Sequence, residues 1–303
     1  MEEGSTVDIY FLPEGCISNI ISLTSPRDAC RSSVISSFFR SAADSDSVWE
    51  RFLPSDYQQI LSSSSVSPSP MSVFSSKKEL YLHLCHDPLL IDRGTKSFAL
   101  DKCSGKKCYM IGARELSIVW GDTPSYWKWQ PLPESRFSEV AELVNVCWLE
   151  IHGKMETRLL SPNTTYVAYM VLKFTDSAHG FNFDPAEVSV KLLNSGEEMI
   201  KSVDLNPVGR QRRQVGGYRG FGRLPTLLRL RPWEPVEDPE PRQEGQIRPK
   251  KREDGWMEIE MGEFFNERGE DGEVEMSLME VKGGQWKSGL IIQGIELRPK
   301  ENQ

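Results

Sequence analysis

The sequence predicts a two-part protein, in which a small all-α unit precedes an all-β antiparallel sandwich of jelly-roll-like character. Apolar residues recur at helical spacing between residues 12 and 57, whereas apolar and polar residues alternate from about residue 96 onward. A serine- and proline-rich stretch separates the two patterns. The 303 residues are long enough for two domains, and a hydrophobic share of 38% suffices to fill their cores.

The N-terminal pattern predicts three short helices. PEGCISNIISL begins with Pro13, which suits a first helical position, and places Ile17 and Ile20 on one stripe. SPRDACRSSVISSFFRS begins with a capping residue, Ser25, and SDSVWERFLPSD ends at Pro54. Such short helices build only a small core. We therefore expect this unit to expose an apolar surface that a partner covers.

A linker is predicted at residues 58–75, because SSSSVSPSPMSVFS cannot bury much surface. The following segment, SKKELYLHLCHDPLLI, is typical of one more amphipathic helix. His83, Cys85 and His86 lie close together in it. Because two histidines three residues apart lack a second ligand pair, a structural role is favoured and no metal site is predicted.

The C-terminal pattern consists of about eight strand-like segments separated by turn residues. In TYVAYMVLKF, for example, Tyr166, Met170 and Phe174 fall on one face. No long helix intervenes, which favours an antiparallel sandwich. The segment at about residues 206–252 lacks the alternation and is rich in arginine and proline, so it is predicted to be a long basic loop.

Composition narrows the class of protein. A net charge of −8 argues against general nucleic-acid binding, which requires a cationic surface. The six cysteines form no C-x-x-C pair, so reduced thiols are expected rather than a disulfide framework or a zinc site. The N-terminus lacks an apolar run of signal-peptide or membrane length. A soluble protein of the cytoplasm and/or the nucleus, without a cofactor or membrane contact, is expected.

Enzymatic activity has little support in the sequence. The motifs of serine hydrolases, phosphate-binding loops and zinc proteases are missing, and the four histidines are scattered. Glu273, Glu275 and Glu280 could supply a glycosidase pair, which needs two carboxylates within about 5 to 9 Å. Acidic side chains on a strand are usually solvated, however, and hydrolysis stays a minor alternative.

A tryptophan-rich stretch, LSIVWGDTPSYWKW, points to binding instead. Trp120, Trp127 and Trp129 lie around a turn, and aromatic rings stack on the flat C–H faces of sugars while carboxylates bind the hydroxyl groups. Trp120 continues the alternation that begins at Leu116, so a position in the core is equally compatible. Trp127 follows Pro124 in the turn region and is expected to be exposed.

Residues 8 to 57 resemble the F-box, the helical module through which receptor subunits join cullin-based ubiquitin ligases, and an F-box domain is assigned to residues 1–57. The motifs that carry the resemblance are Leu12-Pro13-Glu14, Pro26-Arg27-Asp28-Ala29 and Ser45-Asp46-x-Val48-Trp49-x-x-Phe52-Leu53-Pro54. The resemblance implies a Skp-family adaptor and a cullin scaffold as partners. The implied adaptor contacts are Leu12, Pro13, Ile17, Pro26, Ala29, Val34 and Trp49.

Residues 107 to 299, within a domain assigned to residues 76–303, resemble the phloem protein 2 or Nictaba-like lectins. The main motifs are Trp120, Tyr126-Trp127, Trp148-Leu149-Glu150-Ile151, Asp254-Gly255-Trp256, Glu273-Val274-Glu275 and Trp286-Lys287-Ser288-Gly289. The resemblance implies that the ligands are N-acetylglucosamine oligomers or N-glycans on target proteins. It implies Trp120, Trp127, Glu273 and Glu280 as the sugar-binding residues.

The two implied carboxylates raise a geometric difficulty. Glu273 and Glu280 are seven residues apart, so an uninterrupted strand would place them on opposite faces and roughly 23 Å from each other. A bulge or a strand end near Met279 would be needed for both to line one pocket. Glu273, at the predicted turn, is preferred over Glu280.

The favoured hypothesis is a non-catalytic substrate receptor of a Skp-cullin-F-box ubiquitin ligase, whose sandwich selects glycosylated or other targets. The main alternative is a stress lectin of the cytoplasm or nucleus that binds N-acetylglucosamine and holds an adaptor without ubiquitin transfer. A carbohydrate-active enzyme that uses Glu273 with another acid is the third hypothesis.

Overall fold

The computed structural model describes residues 12–64, 74–193, 196, 198–207, 247–268 and 272–301. The helices are α1 (Glu14–Ser22), α2 (Pro26–Ser32), α3 (Ser37–Ala43), α4 (Asp46–Phe52), α5 (Tyr57–Ser62) and α6 (Lys77–His86). The strands are β1 (Leu89–Ile91), β2 (Lys96–Leu100), β3 (Lys107–Gly112), β4 (Ser117–Ile118), β5 (Trp127–Gln130), β6 (Val140–Leu143), β7 (Leu149–Glu156), β8 (Thr164–His179), β9 (Ala186–Leu192), β10 (Glu198–Val203), β11 (Lys250–Lys251), β12 (Met257–Asn266), β13 (Glu273–Glu280) and β14 (Ser288–Pro299). The predicted order, a helical unit followed by antiparallel strands, is confirmed.

The helical unit contains more helices than the sequence pattern predicted. The segment that was expected to form one helix forms α2 and α3. α2 ends at Ser32, and Ser36 caps α3 by accepting a hydrogen bond from the backbone N–H of Phe39 at 3.2 Å. Ser25 caps α2 in the same way, with Asp28 N–H at 3.1 Å. The predicted linker also begins too early, because Tyr57, Ile60 and Leu61 give α5 a buried face. Residues 65–73 of that linker lie outside the described residues.

The helical unit and the sandwich share one hydrophobic core. Trp49 of α4 is fully buried and its ring lies 5.1 Å from the ring of Tyr81 in α6, which packs in turn on β2. Ion pairs reinforce the joint: Lys107 of β3 contacts the Asp56 carboxylate at 2.6 Å, and Lys78 contacts Asp44 at 2.6 Å. The two units are therefore packed together rather than connected by the chain alone.

The strands form two sheets in which the paired strands are antiparallel. The first sheet has the order β1-β2-β3-β14-β8-β12-β11, and β6, which pairs with β5, also pairs with β14. The second sheet has the order β10-β9-β13-β7-β4. The core lies between the sheets, where Met170 of β8, Leu278 of β13 and Ile292 of β14 are fully buried. This arrangement is the predicted β-sandwich.

The outer face of the first sheet is covered as well. Val171 and Ile291 pack there with Phe137 and Trp256 in a second, smaller cluster. Both faces of β8 are therefore buried at this point, which explains why its sequence alternates less clearly than that of β7. Of the basic loop predicted at about residues 206–252, residues 208–246 lie outside the described residues. No described helix is both long and apolar enough to cross a membrane.

Glu296, a carboxylate that is nearly inaccessible to solvent, binds Arg252 at the C-terminal end of this basic segment. Glu296 of β14 accepts a hydrogen bond from Arg252 at 2.6 Å and pairs with Arg136 at 3.3 Å and with Arg298 at 3.8 Å. Burial raises the pKa of Glu296, but the three arginines outweigh burial and leave its pKa below the ordinary value. The carboxylate therefore stays ionised in the folded protein.

We expect Glu296→Gln to destabilise the protein by about 3–5 kcal/mol near pH 7, because the three arginines lose their charged partner. A lowered pKa in the folded state contributes stability above the unfolded pKa of about 4.3, and this contribution is lost as the pH falls through the folded pKa. The difference in the free energy of unfolding between wild type and variant should therefore shrink below about pH 4. Urea denaturation at several pH values measures it, with Glu156→Gln as control, because this carboxylate is 45% exposed and pairs with a single arginine, Arg158. A difference that does not change with pH would contradict the assignment.

Candidate functional site

Exposed tryptophans mark one end of the sandwich. Among the tryptophans that the structure describes, Trp120, Trp148 and Trp286 are 45%, 43% and 52% exposed, whereas Trp49 and Trp256 are buried. Indole rings bury a large apolar area when they pack, so three rings left in solvent are unusual in a folded domain. Their common location is therefore informative.

Backbone pairing brings these three tryptophans to the same segment of chain. Val119 N–H donates to the Glu150 carbonyl at 3.1 Å, which places Trp120 beside the start of β7. On the other side, Lys287 and Val146 exchange two backbone hydrogen bonds, at 2.7 and 3.0 Å, which places Trp286 beside the residues that precede β7. Residues 146–150 therefore carry Trp148 and are flanked by the other two tryptophans. We call this region the aromatic end.

Trp120 has an unusual backbone conformation. Its φ is +58°, in the left-handed region that bulky residues rarely adopt. Two neighbouring indoles hold the turn: Trp127 donates to the Val119 carbonyl at 3.2 Å, and Trp129 donates to the Gly121 carbonyl at 2.9 Å. The Trp120 ring lies 5.3 Å from the ring of Tyr126. The surrounding structure thus maintains a strained residue with its ring exposed, a pattern common at binding sites.

The predicted exposure of Trp127 is wrong. Trp127 pairs with Leu143 across β5 and β6, and its side chain enters the core, leaving only 2% exposed. Trp129 is half-buried, and the Arg114 guanidinium lies 3.8 Å from its ring centroid, so it packs at the rim. The three tryptophans of the LSIVWGDTPSYWKW stretch therefore differ in role, because only Trp120 presents its ring to solvent.

A chain of polar side chains adjoins the aromatic end on the outer face of β7. The Trp148 indole N–H donates to the Glu150 carboxylate at 2.6 Å, and the other carboxylate oxygen lies 2.9 Å from His152 Nε2. The hydrogen bonds from His152 first and from Trp148 second lower the pKa of Glu150. Trp148, Glu150 and His152 were missed as site residues, although they occupy every second position of the sequence WLEIHGKM and so share one face of a strand.

Glu280 lies beneath the aromatic end rather than on its surface. It is 7% exposed and forms an ion pair with Lys287, which is fully buried. The Lys287 ammonium also donates to the carbonyls of Gln285 at 2.7 Å and Cys147 at 3.2 Å. All three ammonium protons are thus engaged. The ion pair ties together the strand end and the loops that carry Trp148 and Trp286.

Glu273 occupies the opposite end of the same strand. β13 pairs with β7 over all eight residues from Glu273 to Glu280 without a bulge. Glu273 is exposed and Glu280 is buried on the core-facing side, so the two carboxylates lie on opposite faces, roughly 23 Å apart by strand geometry. The bulge that one common pocket would require is not present. Of these two carboxylates, Glu280 lies at the end of the strand near Trp286, through its ion pair with Lys287, and Glu273 lies at the far end.

The other side chains that were considered as catalytic groups or metal ligands form ion pairs with nearby residues. Glu275 lies 3.7 Å from both His152 and Lys154, so it takes part in the polar network of the outer face. His83 pairs with Asp87 at 3.1 Å, which makes it part of the end of α6. Within the described part of the chain, no group of three or more histidine, cysteine, aspartate or glutamate side chains is arranged to hold a metal ion.

The predicted adaptor contacts divide into buried and exposed residues. Four of them, Ile17, Pro26, Ala29 and Trp49, are buried in the helical unit rather than exposed on its surface. They fill the small core because α1, α2 and α4 have little else to bury. Leu12 is partly buried, Pro13 is exposed and Val34 is 76% exposed. The structure adds Ile20, Leu23 and Ile35 as further exposed apolar residues of this unit.

Comparison with known families agrees with this architecture of a helical module packed on a β-sandwich with an aromatic end. A family model described as "F-box domain" matches residues 9–51, and a model described as "Phloem protein 2" matches residues 106–299. The fold and the matches define an F-box protein with a phloem protein 2 β-sandwich. The chain belongs to the phloem protein 2 family, in the group whose members also carry an F-box.

Relatives of similar length come from Arabidopsis thaliana. "F-box protein At2g02240" is 48% identical over 96% of this chain and 80% of its own length. "F-box protein PP2-B10" is 45% identical over 98% and 95% of the two chains, and "F-box protein VBF" is 47% identical over 96% and 100%. A solved structure of TmCBM61 in complex with beta-1,4-galactotriose matches 64% of this chain and 88% of its own, at 11% identity and a TM-score of 0.24.

We expect Glu280→Gln to destabilise the protein by about 3–5 kcal/mol, because it leaves the buried Lys287 ammonium without a countercharge. Glu273→Gln is the matched control, since it makes the same change at the exposed end of the same strand and should have little effect. Urea denaturation measures both free energies of unfolding. Equal values for the two variants would contradict a structural role for the buried ion pair.

Proposed function

We propose that this protein is a non-catalytic substrate receptor of a Skp-cullin-F-box ubiquitin ligase, and that its aromatic end binds glycans on target proteins. The observation that carries the sugar-binding part is the convergence of three exposed tryptophans at one end of the sandwich, with Trp120 held in a strained conformation. The ligase part is supported by the F-box match and by the names of the relatives, which are F-box proteins.

The aromatic end suits a sugar chemically. The exposed face of Trp120 offers a flat apolar surface for the C–H face of a pyranose ring, and Tyr126 supports it from one side. Glu150 supplies an ionised carboxylate nearby, which accepts hydrogen bonds from hydroxyl or acetamido groups. N-acetylglucosamine oligomers and N-glycans are the proposed ligands, on the basis of the family resemblance. Trp127 and Glu280 contribute as positioning residues beneath this surface.

The F-box surface suits an adaptor. Ile20, Leu23, Val34 and Ile35 are large apolar side chains that are between 49% and 76% exposed within sixteen residues of sequence. Large apolar side chains exposed on so small a unit support an interaction site there. Docking of a Skp-family adaptor there, and of the cullin through the adaptor, would raise the effective concentration of a bound target near the ubiquitin-carrying enzyme. This chain itself would form and break no bonds.

The alternative function shares both binding surfaces. A stress lectin that holds an adaptor without ubiquitin transfer would co-purify with the adaptor but not with a cullin, whereas a ligase receptor recovers both. The proposed location is the cytoplasm and/or the nucleus, where the reduced state of all six free cysteines is maintained.

Trp120→Ala should weaken glycan binding at least tenfold, because it removes the stacking surface while the exposed ring contributes little to folding. Binding is measured on a glycan array that includes chito-oligosaccharides and N-glycans. Phe265→Ala is the control, since Phe265 is a 53% exposed aromatic residue on β12 of the other sheet. Unchanged binding of the Trp120 variant, or an equal loss in the control, would exclude the proposed sugar surface.

Val34→Asp should reduce the affinity for a recombinant Skp-family adaptor by at least tenfold, because a carboxylate would have to be desolvated in an apolar contact. The matched control is Ile200→Asp, a similar change at a 61% exposed apolar residue of β10. Isothermal titration with the full-length chain gives both affinities. An adaptor that binds both variants like wild type would contradict the assignment of this surface.

A further inference from the structure

A groove of about 400 Å³ lies at the joint between the helical unit and the sandwich. Both units contribute to its lining, which comes from α2, α4 and α6 and from the turn between β2 and β3. We call it the joint groove. Ligand pockets of proteins range from about 300 to 1,000 Å³, so this volume suits one small organic molecule.

The floor of the joint groove is apolar and rigid. Trp49 and Tyr81, each 1% exposed, pack with their ring centroids 5.1 Å apart, and Leu82 and Val34 line the groove beside them. The Tyr81 hydroxyl donates a hydrogen bond to the Asp101 carbonyl at 3.1 Å, which holds the turn between β2 and β3 against α6. The groove is therefore formed before any ligand arrives, so that binding would not have to order it.

Cationic side chains surround this apolar floor. Arg27, Arg31 and Lys102 line the groove and are exposed, so their stems cover apolar surface while their charged heads lie in water. Arg31 pairs with Asp28 at 3.3 Å, whereas no ion pair within the described part of the chain engages Arg27 or Lys102. Among the described residues that line the groove, none is a carboxylate. Although the protein has a net charge of −8, the joint groove therefore favours an anion.

The joint groove is separate from the aromatic end. The turn that carries Lys102 leads into β3, which pairs with the C-terminal part of β14 through Tyr109 and Leu297. The aromatic end lies beyond Ser288, where β14 begins. Nine residues separate Ser288 from Leu297, which corresponds to roughly 30 Å of strand. A small ligand in the joint groove would therefore not reach the exposed tryptophans.

We propose that the joint groove binds a small amphipathic anion, an organic molecule with an apolar body and one carboxylate or sulfonate group. The body would displace water from the floor formed by Trp49 and Tyr81, and the acid group would pair with the flexible cationic heads of Arg27 and Lys102 at the mouth. A single turn of α-helix, about 10 Å wide and about 5.4 Å long, already fills a comparable volume. The groove therefore fits a small molecule rather than a helical peptide.

Fluorescence titration of the full-length chain with 8-anilinonaphthalene-1-sulfonate tests the proposal, because this probe joins an aromatic body to one sulfonate. The neutral analogue N-phenyl-1-naphthylamine has the same rings without the charge. The double variant Arg27→Gln/Lys102→Gln should bind the sulfonate about fivefold more weakly, since exposed ion pairs are individually weak, and should bind the neutral analogue like wild type. Lys128→Gln/Arg268→Gln is the matched control, because it removes the same two charges from exposed positions outside the groove.

Cysteines report where the probe binds. Cys30 and Cys103 are exposed and line the joint groove, whereas Cys16 is exposed on α1 outside it. At about ten times its Kd the sulfonate should slow the alkylation of Cys30 and Cys103 by iodoacetamide about tenfold and leave Cys16 unchanged, as measured by mass spectrometry. Cys30→Trp, which fills the groove from an exposed position, should abolish the binding of both probes. Near-UV circular dichroism verifies that the variants are folded.

Several results would overturn the proposal without affecting the proposed function, because no glycan or adaptor takes part in the experiment. Wild-type protein that binds neither probe, or that shields Cys16 as strongly as Cys30 and Cys103, excludes the joint groove as the site. An equal loss of both probes in Arg27→Gln/Lys102→Gln excludes an anion as the ligand class. The cysteine alkylation uses wild-type protein, so it decides the location even where Cys30→Trp fails to fold.

Discussion

The uninterrupted pairing of β7 with β13 on one side and with β4 on the other determines which side chains can meet in this protein. Because the register of β13 has no bulge, Glu273 and Glu280 are held at opposite ends and on opposite faces of one strand. On its other side β7 pairs with β4, and the bond from the Val119 N–H to the Glu150 carbonyl holds the turn that carries Trp120 beside the start of β7. A shift of one residue would exchange the faces of the strand and direct Glu150 and His152 into the core. The candidate site therefore follows from backbone pairing before any side-chain contact is considered.

Two costly features lie at the aromatic end, and the structure around it compensates for both. A left-handed tryptophan costs of order 1–3 kcal/mol, and here two indole hydrogen bonds fix the carbonyls on either side of Trp120. Burial of Lys287 is compensated by the Glu280 carboxylate and two backbone carbonyls. Trp127 and Glu280, which resemblance implied as sugar contacts, are buried, and they bind Val119 and Lys287, the neighbours of Trp120 and Trp286.

The sequence was sufficient to predict the helical unit and the antiparallel sandwich. Periodicity reports which residues share a face, and it does so within a single strand. It could not assign Trp127 to the core, because that assignment depends on the pairing of β5 with β6. It also could not show that Ile17 and Trp49 fill the helical core while Ile20 and Val34 remain exposed, since a short helix has apolar residues on both sides. The alternation in WLEIHGKM places Trp148 and Glu150 on one face of a strand. Their place at the aromatic end depends on the pairing of Val146 with Lys287 and of Val119 with Glu150, which the sequence does not show.

The packing between the two units has a consequence for the proposed receptor. A receptor raises the effective concentration of its target most when the connection between its two binding surfaces is neither too long nor too flexible. Here Trp49 and Tyr81 continue one core from the F-box into the sandwich, and the Lys107–Asp56 and Lys78–Asp44 pairs lock the same joint. The adaptor surface near Val34 and the aromatic end near Trp148 therefore belong to a single packed body. Under the proposed function, these packed contacts set the orientation of a bound glycoprotein toward the ligase. The serine-rich linker is not needed to fix that orientation.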